Sequence, residues 1–326
     1  MVVAVLGLGS IGLRHARNLL SLEREVVGFD PALDRRSALI EAGGTVVATR
    51  DAAIEAAVAV VVASPNAYHF EDMTAVVDAG RHIFVEKPLA HKVGGVNEIL
   101  ERALAADRVV FAGLNQRYNP AIREARALIA AGRLGTVLWG RFLAALYLPD
   151  WRPSQDHRKG YAADRTTGGV IFDAVHEFDL AHHLLGEART LTATARSSGS
   201  LGVPSDDIAD IVLGHPGGVV SSLHLDYVTR PPRRIIDIAG TAGLLNIDIL
   251  ARRLVLHDGD GKTVLERTYD TTYDDDYRDE MAAFLDCIEG REKPACDGRE
   301  ALSVLHQVVA ARFLAGLPGA EARDTI

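Results

Sequence analysis

The chain opens on VVAVLGLGSIGLRHARNLL, and no other stretch restricts the fold as much. A short β-branched run (2–7) leads into GLGSIG, and an apolar pattern of helical period follows from Ile11 to Leu20. Glycines at 7, 9 and 12 let backbone amides come close to a pyrophosphate, and the dipole of the following helix favours its charge. The spacing alone is common, but with a strand before it and a helix after it, it predicts a dinucleotide-binding loop that also includes Ser10 and Ile11. Asp30 ends a second strand, EVVGFD (25–30), at the distance where a carboxylate meets a ribose 2′-hydroxyl. Asp30 is also suited to capping a helix that starts at Pro31, and the two roles are compatible.

The alternation continues. PALDRRSALIEAG (31–43) reads as a helix and AAVAVVVAS (56–64) as a strand buried on both faces. A helix closes over Met73–Ala79 before Gly80, HIFVEK (82–87) is the next strand, a helix spans about 92–106, and RVVFAG (108–113) is another strand. This pattern predicts an α/β domain with a doubly wound parallel sheet. Beyond Asn115 the rhythm changes. A helix with Ile122, Ala125, Leu128 and Ile129 on one face leads to TVLWGRFLAALYL (136–148). Three hairpin-like pairs follow between 209 and 269, with closing helices at about 275–289 and 299–315. The expected division is a dinucleotide-binding domain, 1–116, and an α+β domain with a mostly antiparallel sheet, 117–326, for substrate binding and oligomerisation.

Composition narrows the partners. A chain of 326 residues, 48% hydrophobic, has ample core for two domains, and a net charge of −9 would repel a nucleic-acid backbone. The longest apolar run, AAVAVVVA (56–63), is far short of the roughly 20 residues that span a bilayer, and the first 20 residues carry the glycine loop instead of a signal peptide. A cytoplasmic protein with a small-molecule partner, no nucleic acid and no membrane is expected. Cys287 and Cys296 form neither a disulfide framework nor a metal-like spacing, and no metal is expected.

Five motifs then occur in one order: GLGSIG, SPNAYH (64–69), EKP (86–88), GLNQRYNP (113–120) and GGVIFDAVHEFD (168–179). Together they resemble the Gfo/Idh/MocA family of sugar and cyclitol dehydrogenases along nearly the whole chain. The resemblance implies an N-terminal Rossmann domain, a C-terminal domain with an open, mostly antiparallel sheet, and hydride transfer between a nicotinamide and a secondary alcohol. It implies NAD as cofactor, with NADP left open by Arg35 and Arg36 just beyond Asp30. Cofactor contacts are expected from Ser64, Pro65, Asn66, His69, Glu86, Lys87 and Asn115, and the family often has a cis bond before the proline at position 88.

The chemistry is expected at three places. The strand HIFVE ends in Glu86, Lys87 and Pro88, where the carboxyl ends of parallel strands present ligands; Lys87 can orient the substrate hydroxyl and share in proton transfer. The bland alternative is a surface ion pair between Glu86 and Lys87. In GGVIFDAVHEFDLAHHLLG, His176 is the expected general acid/base, and in a continuous helix Asp173, three residues before it, could fix its tautomer. Family members more commonly have one more residue between these positions, which leaves Asp179 as a rival partner; His182 and His183 read as capping and surface groups. The long segment YLPDWRPSQDHRKGYAADRTTGG (147–169) offers Trp151 and Tyr161 for stacking on a sugar. It also offers Arg152, Arg158, Lys159 and Arg165, with Arg117 and Arg141 elsewhere, for an anionic group. A solvated loop with oligomer contacts is the alternative. The wording DWRP, followed by GGVIFD and VHEFD, resembles a branch of the family associated with amino or acidic sugars. Alternating Ile211, Leu213, Val219, Leu223 and Leu225 predict a sheet covered by helices on one face and by a second copy on the other, as a homodimer or homotetramer. Two further functions stay open: transient use of bound NAD for glycoside cleavage or sugar rearrangement, and nucleotide sensing without turnover.

Overall fold

The computed structural model describes residues 1–151 and 156–319, which form two compact units. The first holds Met1–Asn115 and Tyr273–Leu302, the second Gln116–Thr272 and the residues from Ser303 on.

In the first unit, strands β1 (Val2–Leu6), β2 (Glu25–Phe29), β3 (Thr45–Val46), β4 (Ala59–Val62), β5 (His82–Glu86) and β6 (Val110–Gly113) alternate with helices α1 (Ser10–Ser21), α2 (Leu33–Glu41), α3 (Arg50–Ala56), α4 (Asn66–Asp78) and α5 (Val96–Ala105). All strand pairs are parallel, in the order β3-β2-β1-β4-β5-β6. This is the doubly wound sheet that the alternation predicts. Each residue of β4 is buried because helices cover both faces, and α1 lays Gly12, His15, Ala16 and Leu19, spaced three and four apart, against the sheet. The strand expected over 56–64 is shorter because Ala56 still belongs to α3 and the chain turns before Ala59. The helix expected at 73–79 starts seven residues earlier, at Asn66, behind Pro65. The helix expected from Pro31 starts at Leu33.

In the second unit, Asn119 caps α6 (Pro120–Ala130) by accepting from the Ala121 N–H at 2.9 Å, with Pro120 in the first turn. Then come β7 (Val137–Tyr147), α7 (Leu148–Trp151), α8 (Val170–Asp173) and α9 (Val175–Leu185). The sheet continues with β8 (Arg189–Arg196), β9 (Ile208–Gly214), β10 (Val220–Asp226), β11 (Val228–Gly240), β12 (Gly243–Asp248), β13 (Arg253–Asp258) and β14 (Thr263–Thr268). Its order is β14-β13-β12-β11-β7-β10-β9-β8, antiparallel except for β7 with β10. The three hairpins are β9–β10, β11–β12 and β13–β14. Ile211, Leu213, Leu223 and Leu225 are buried on one face, while Trp139 and its cross-strand neighbour Val220 stay 43% and 42% exposed on the other. Val219, expected among the strand residues, precedes β10 and is only half-buried.

The chain closes with α10 (Tyr273–Ile288) and α11 (Gly298–Leu314). The sequence division assigns both to the second domain, whereas α10 and the residues up to Leu302 cluster with the first unit. The reason is aromatic: Phe84 and Phe111 stack at 5.4 Å, and Phe284 of α10 meets both edge-on at 5.5 and 5.7 Å. Among the described residues no helix is long and apolar enough to cross a membrane, and no cluster of three histidine, cysteine, aspartate or glutamate side chains could hold a metal.

Candidate active site

In the first unit the glycine loop joins β1 to α1. Gly7 has φ +84°, and a Cβ there would sit 2.6 Å from the Ser64 nitrogen; at Gly12 it would sit 1.8 Å from the Gly7 carbonyl oxygen. These two glycines pack backbone on backbone. Gly9 differs, because a Cβ there would meet only the Arg35 guanidinium, at 4.0 Å. Gly9 also leads α1 with no side-chain cap, so the first-turn amides beside exposed Ser10 and half-buried Ile11 keep their capacity for an anion.

Asp30, only 1% exposed, ties this loop to the end of β2. Its Oδ2 accepts from the Leu8 N–H at 2.8 Å and its Oδ1 from the Ala32 N–H at 2.9 Å. It therefore makes a local turn and a loop brace, and Ala32 takes the N-cap position of α2. Arg35 Nη1 lies 3.3 Å from Oδ2, while Arg36 donates to the Asp30 carbonyl and lies over the Phe29 ring at 5.0 Å.

At the end of β4, Ser64 donates to Asp72 Oδ2 at 2.6 Å, and exposed Pro65 precedes half-buried Asn66 at the start of α4. His69 is 1% exposed, with one ring nitrogen 2.8 Å from the Ser64 carbonyl and the other 2.8 Å from that of Pro88. It braces two strand ends, and burial pushes its pKa below the ordinary value. β5 delivers Glu86, Lys87 and Pro88, with a cis bond between Lys87 and Pro88. Glu86 is not the surface group that the bland alternative supposes: it is 8% exposed and bound to buried His15, Nε2 to Oε1 at 2.6 Å, while Oε2 accepts the Lys87 N–H at 3.1 Å. Burial raises the Glu86 pKa, but the His15 bond and the charges of His15 and Lys87 outweigh it and leave the pKa below the usual value. Beside β5, at the end of β6, Asn115 is 1% exposed, and its amide nitrogen has no hydrogen-bond partner among the described residues.

These features fit a dinucleotide: an open cradle at Gly9, an uncapped helix start, a carboxylate at the end of β2 and a buried amide donor at the end of β6.

The second unit holds the other candidates. A break at Ala174 separates α8 from α9, so Asp173 and His176 lie on two helices instead of one continuous face. Asp173 receives two phenol hydroxyls, Tyr161 on Oδ1 at 2.6 Å and Tyr227 on Oδ2 at 2.5 Å. Tyr227, which sequence reasoning did not single out, is 1% exposed, and burial and the Asp173 charge push its pKa well above the ordinary value. Its only sequence signal was an aromatic at the end of a strand. His176 is 6% exposed in the first turn of α9. Asp179, the rival partner, spends its carboxylate on Arg117, whose Nε and Nη2 donate at 2.5–3.1 Å; both residues are buried. The guanidinium expected to hold substrate is thus committed to α9.

Trp151, 41% exposed, meets Tyr227 edge-on at 5.4 Å, and Tyr161 is 45% exposed. Arg158 is exposed and forks onto Asp156 at 2.8 and 2.9 Å, and Arg152 falls outside the described residues. His182 and His183 are half-buried helix-packing groups, not capping or surface ones: Gln307 meets His182 at 3.1 Å, and Arg126 of α6 meets His183 at 2.9 Å. Burial, with Arg117 and Arg126 nearby, pushes His183 down to about 2.

Known proteins share this architecture. Residues 1–114 match the oxidoreductase family with an NAD-binding Rossmann fold, and residues 122–246 match the GFO/IDH/MocA C-terminal domain. A 1,5-anhydro-D-fructose reductase of Ensifer adhaerens is 28% identical over 253 residues, 74% of this chain and 72% of that protein. A myo-inositol 2-dehydrogenase of Thermotoga maritima is 27% identical over 323 residues, 92% of each. A solved levoglucosan dehydrogenase in complex with NADH and levoglucosan superposes with a TM-score of 0.86 at 19% identity, over 97% of both chains, and so shares the fold.

Proposed function

Because the chain belongs to the Gfo/Idh/MocA oxidoreductase family, with both of its domains matched, we propose that it is an NAD-dependent dehydrogenase. It would move a hydride between the nicotinamide and a secondary alcohol of a sugar, cyclitol, sugar acid or amino sugar. The observation that carries this reading is the end of β5, where Lys87 leaves the carboxyl edge of a dinucleotide-binding sheet on a peptide fixed by buried Glu86. Curated relatives named for anhydrosugar reduction and inositol oxidation support the substrate class.

Gly7, Gly9, Ser10, Ile11, Gly12 and Asp30 would hold the dinucleotide, with Ser64–Asn66, Glu86, Lys87 and Asn115 towards its nicotinamide end. When bound, the cofactor supplies the acceptor for the hydride that leaves the carbinol carbon. The protein's own task is the hydroxyl proton: Lys87 Nζ orients the hydroxyl, and the His176 imidazole takes the proton as the carbonyl forms. Asp173, with its two phenol donors, would set the polar wall beside His176, and Trp151 and Tyr161 would lie against the sugar ring. The same reading makes the protein cytoplasmic and a homodimer or homotetramer through the sheet face of Trp139 and Val220; a monomer by light scattering at micromolar concentration would refute the assembly.

A spectrophotometric screen of cyclitols, aldoses, anhydrosugars, amino sugars and uronates with NAD and NADP tests the activity. Net NADH formation with at least one polyol is expected. Substrate conversion without net NADH would replace this reading with transient redox use of the cofactor, and binding without conversion would replace it with a nucleotide sensor.

A further inference from the structure

We propose that His15 and Glu86 form a strut that positions Lys87, linking the helix that would carry the dinucleotide's phosphates to the strand end that would carry the proton-handling ammonium. The inference rests on the dehydrogenase reading above. His15 lies on α1 one turn beyond the glycine loop, fully buried, edge-on to Phe84 at 4.9 Å and to Tyr277 at 5.6 Å. These two rings fix the imidazole plane, and its Nε2 meets Glu86 Oε1 at 2.6 Å. Glu86 uses its other oxygen on the Lys87 N–H. One carboxylate therefore spans from α1 to the peptide of Lys87. On the far side, His69 meets the Pro88 carbonyl. The backbone is anchored before Lys87 by Glu86 and after it by His69.

A merely structural explanation is weak on energetic grounds. Burying an imidazole and a carboxylate costs desolvation that an apolar pair of similar volume at the same place would avoid. The polar pair brings a directional acceptor for one particular N–H. Proton transfer is sensitive to displacements of about 1 Å, so a device that fixes the Lys87 Cα acts on turnover more than on binding.

The test uses the full chain in three variants, with a polyol substrate found in the screen. His15→Phe keeps the ring packing and removes the ring nitrogens. Glu86→Ala removes the acceptor, and Glu86→Gln keeps an oxygen for the Lys87 N–H. His15→Phe and Glu86→Ala are expected to lose about 10- to 100-fold in turnover, and in His15→Phe, which is outside the cofactor site, KM for the alcohol and NADH affinity by fluorescence titration stay within about twofold. The Lys87 amide should exchange with deuterium about tenfold faster in both. Glu86→Gln should recover most of what Glu86→Ala loses. Normal turnover in His15→Phe, or equal losses of turnover and NADH affinity in both variants, would overturn the strut. If Glu86→Ala does not fold, His15→Phe decides alone. Lys87→Ala separates the two levels: an active Lys87→Ala sinks the catalytic reading itself, whereas an inactive Lys87→Ala beside a normal His15→Phe sinks only the strut.

Discussion

Lys87 and His176 each sit at the edge of a regular element, but their surroundings are built in opposite ways. Lys87 ends a strand of a parallel sheet, and its braces, His15, His69 and Glu86, all lie within the first 90 residues. His176 follows a helix break, and the neighbouring Asp173 is held by Tyr161 from a loop and by Tyr227, 54 residues later in the chain. The first is a compact motif drawn from α1, α4 and the end of β5. The second is assembled from a long loop, a broken helix and a strand end. If both handle one proton, two such different supports must deliver comparable precision.

The largest effect tests that equality. Lys87→Ala and His176→Ala should each lower turnover about 10²- to 10⁴-fold with little change in NADH affinity, as expected for loss of a general acid/base. The double variant should be far less impaired than the product of the two losses, because groups acting on one proton are not independent. Multiplicative losses would mean that the two residues serve separate steps.

The next effect probes the support of the second region. Tyr227→Phe leaves the Asp173 carboxylate with one of its two phenol donors, in a site with little access for replacement water. A hydrogen bond to a charged group contributes about 1.5–3 kcal/mol, so a loss of about that size in denaturant unfolding is expected. Tyr161→Phe should cost less, since Tyr161 is half-exposed and water can take its place. Equal losses from the two tyrosines would show that the exposed ring is as tightly held as the buried one.

The same contrast explains what the sequence made legible. The parallel sheet was readable because each βα unit repeats a local pattern, a β-branched run followed by helical periodicity. GLGSIG and EKP are likewise contiguous. The three hairpins were readable because paired strands adjoin in sequence. The interruption at Ala174 was not, since VIFDAVHEFDLAHHLL has an unbroken helical composition and no glycine or proline marks the break. Nor could spacing show that Arg117 would be spent on Asp179, 62 residues away, or that Phe284 would join the first unit through a ring cluster. His15 was hidden for a simpler reason. Its spacing with Gly12, Ala16 and Leu19 marks the buried face of α1, and nothing local says that the strand end it meets carries a carboxylate.

A smaller effect is expected at the glycine loop, where the first region meets the cofactor. Asp30 should favour the ribose diol of NAD and repel a 2′-phosphate, giving tighter binding of NADH than NADPH. Asp30→Ala should weaken NADH about tenfold, close to 1.4 kcal/mol, and NADPH much less, because Arg35 loses its carboxylate and turns to the phosphate. NADPH binding more tightly than NADH to the unaltered protein would show that Arg35 already dominates the site.

The smallest effect lies in the second region, at the loop that distinguishes it most from the first. Arg158 was expected to hold an anionic substrate group, yet its guanidinium forks onto Asp156, and these hydrogen bonds and the arginine's charge hold that carboxyl down at about 2. An arginine paired in this way must break two hydrogen bonds to greet a substrate carboxylate, and in an exposed loop water competes for both partners. Arg158→Ala should therefore leave KM for neutral polyols and for uronates within about twofold of the unaltered protein. Asp156→Asn supplies the counter-test, since it frees the guanidinium without removing it. If KM for uronates falls in Asp156→Asn and rises selectively in Arg158→Ala, the fork is a resting state of a substrate anchor. The loop would then read acidic sugars by exchanging one carboxylate for another.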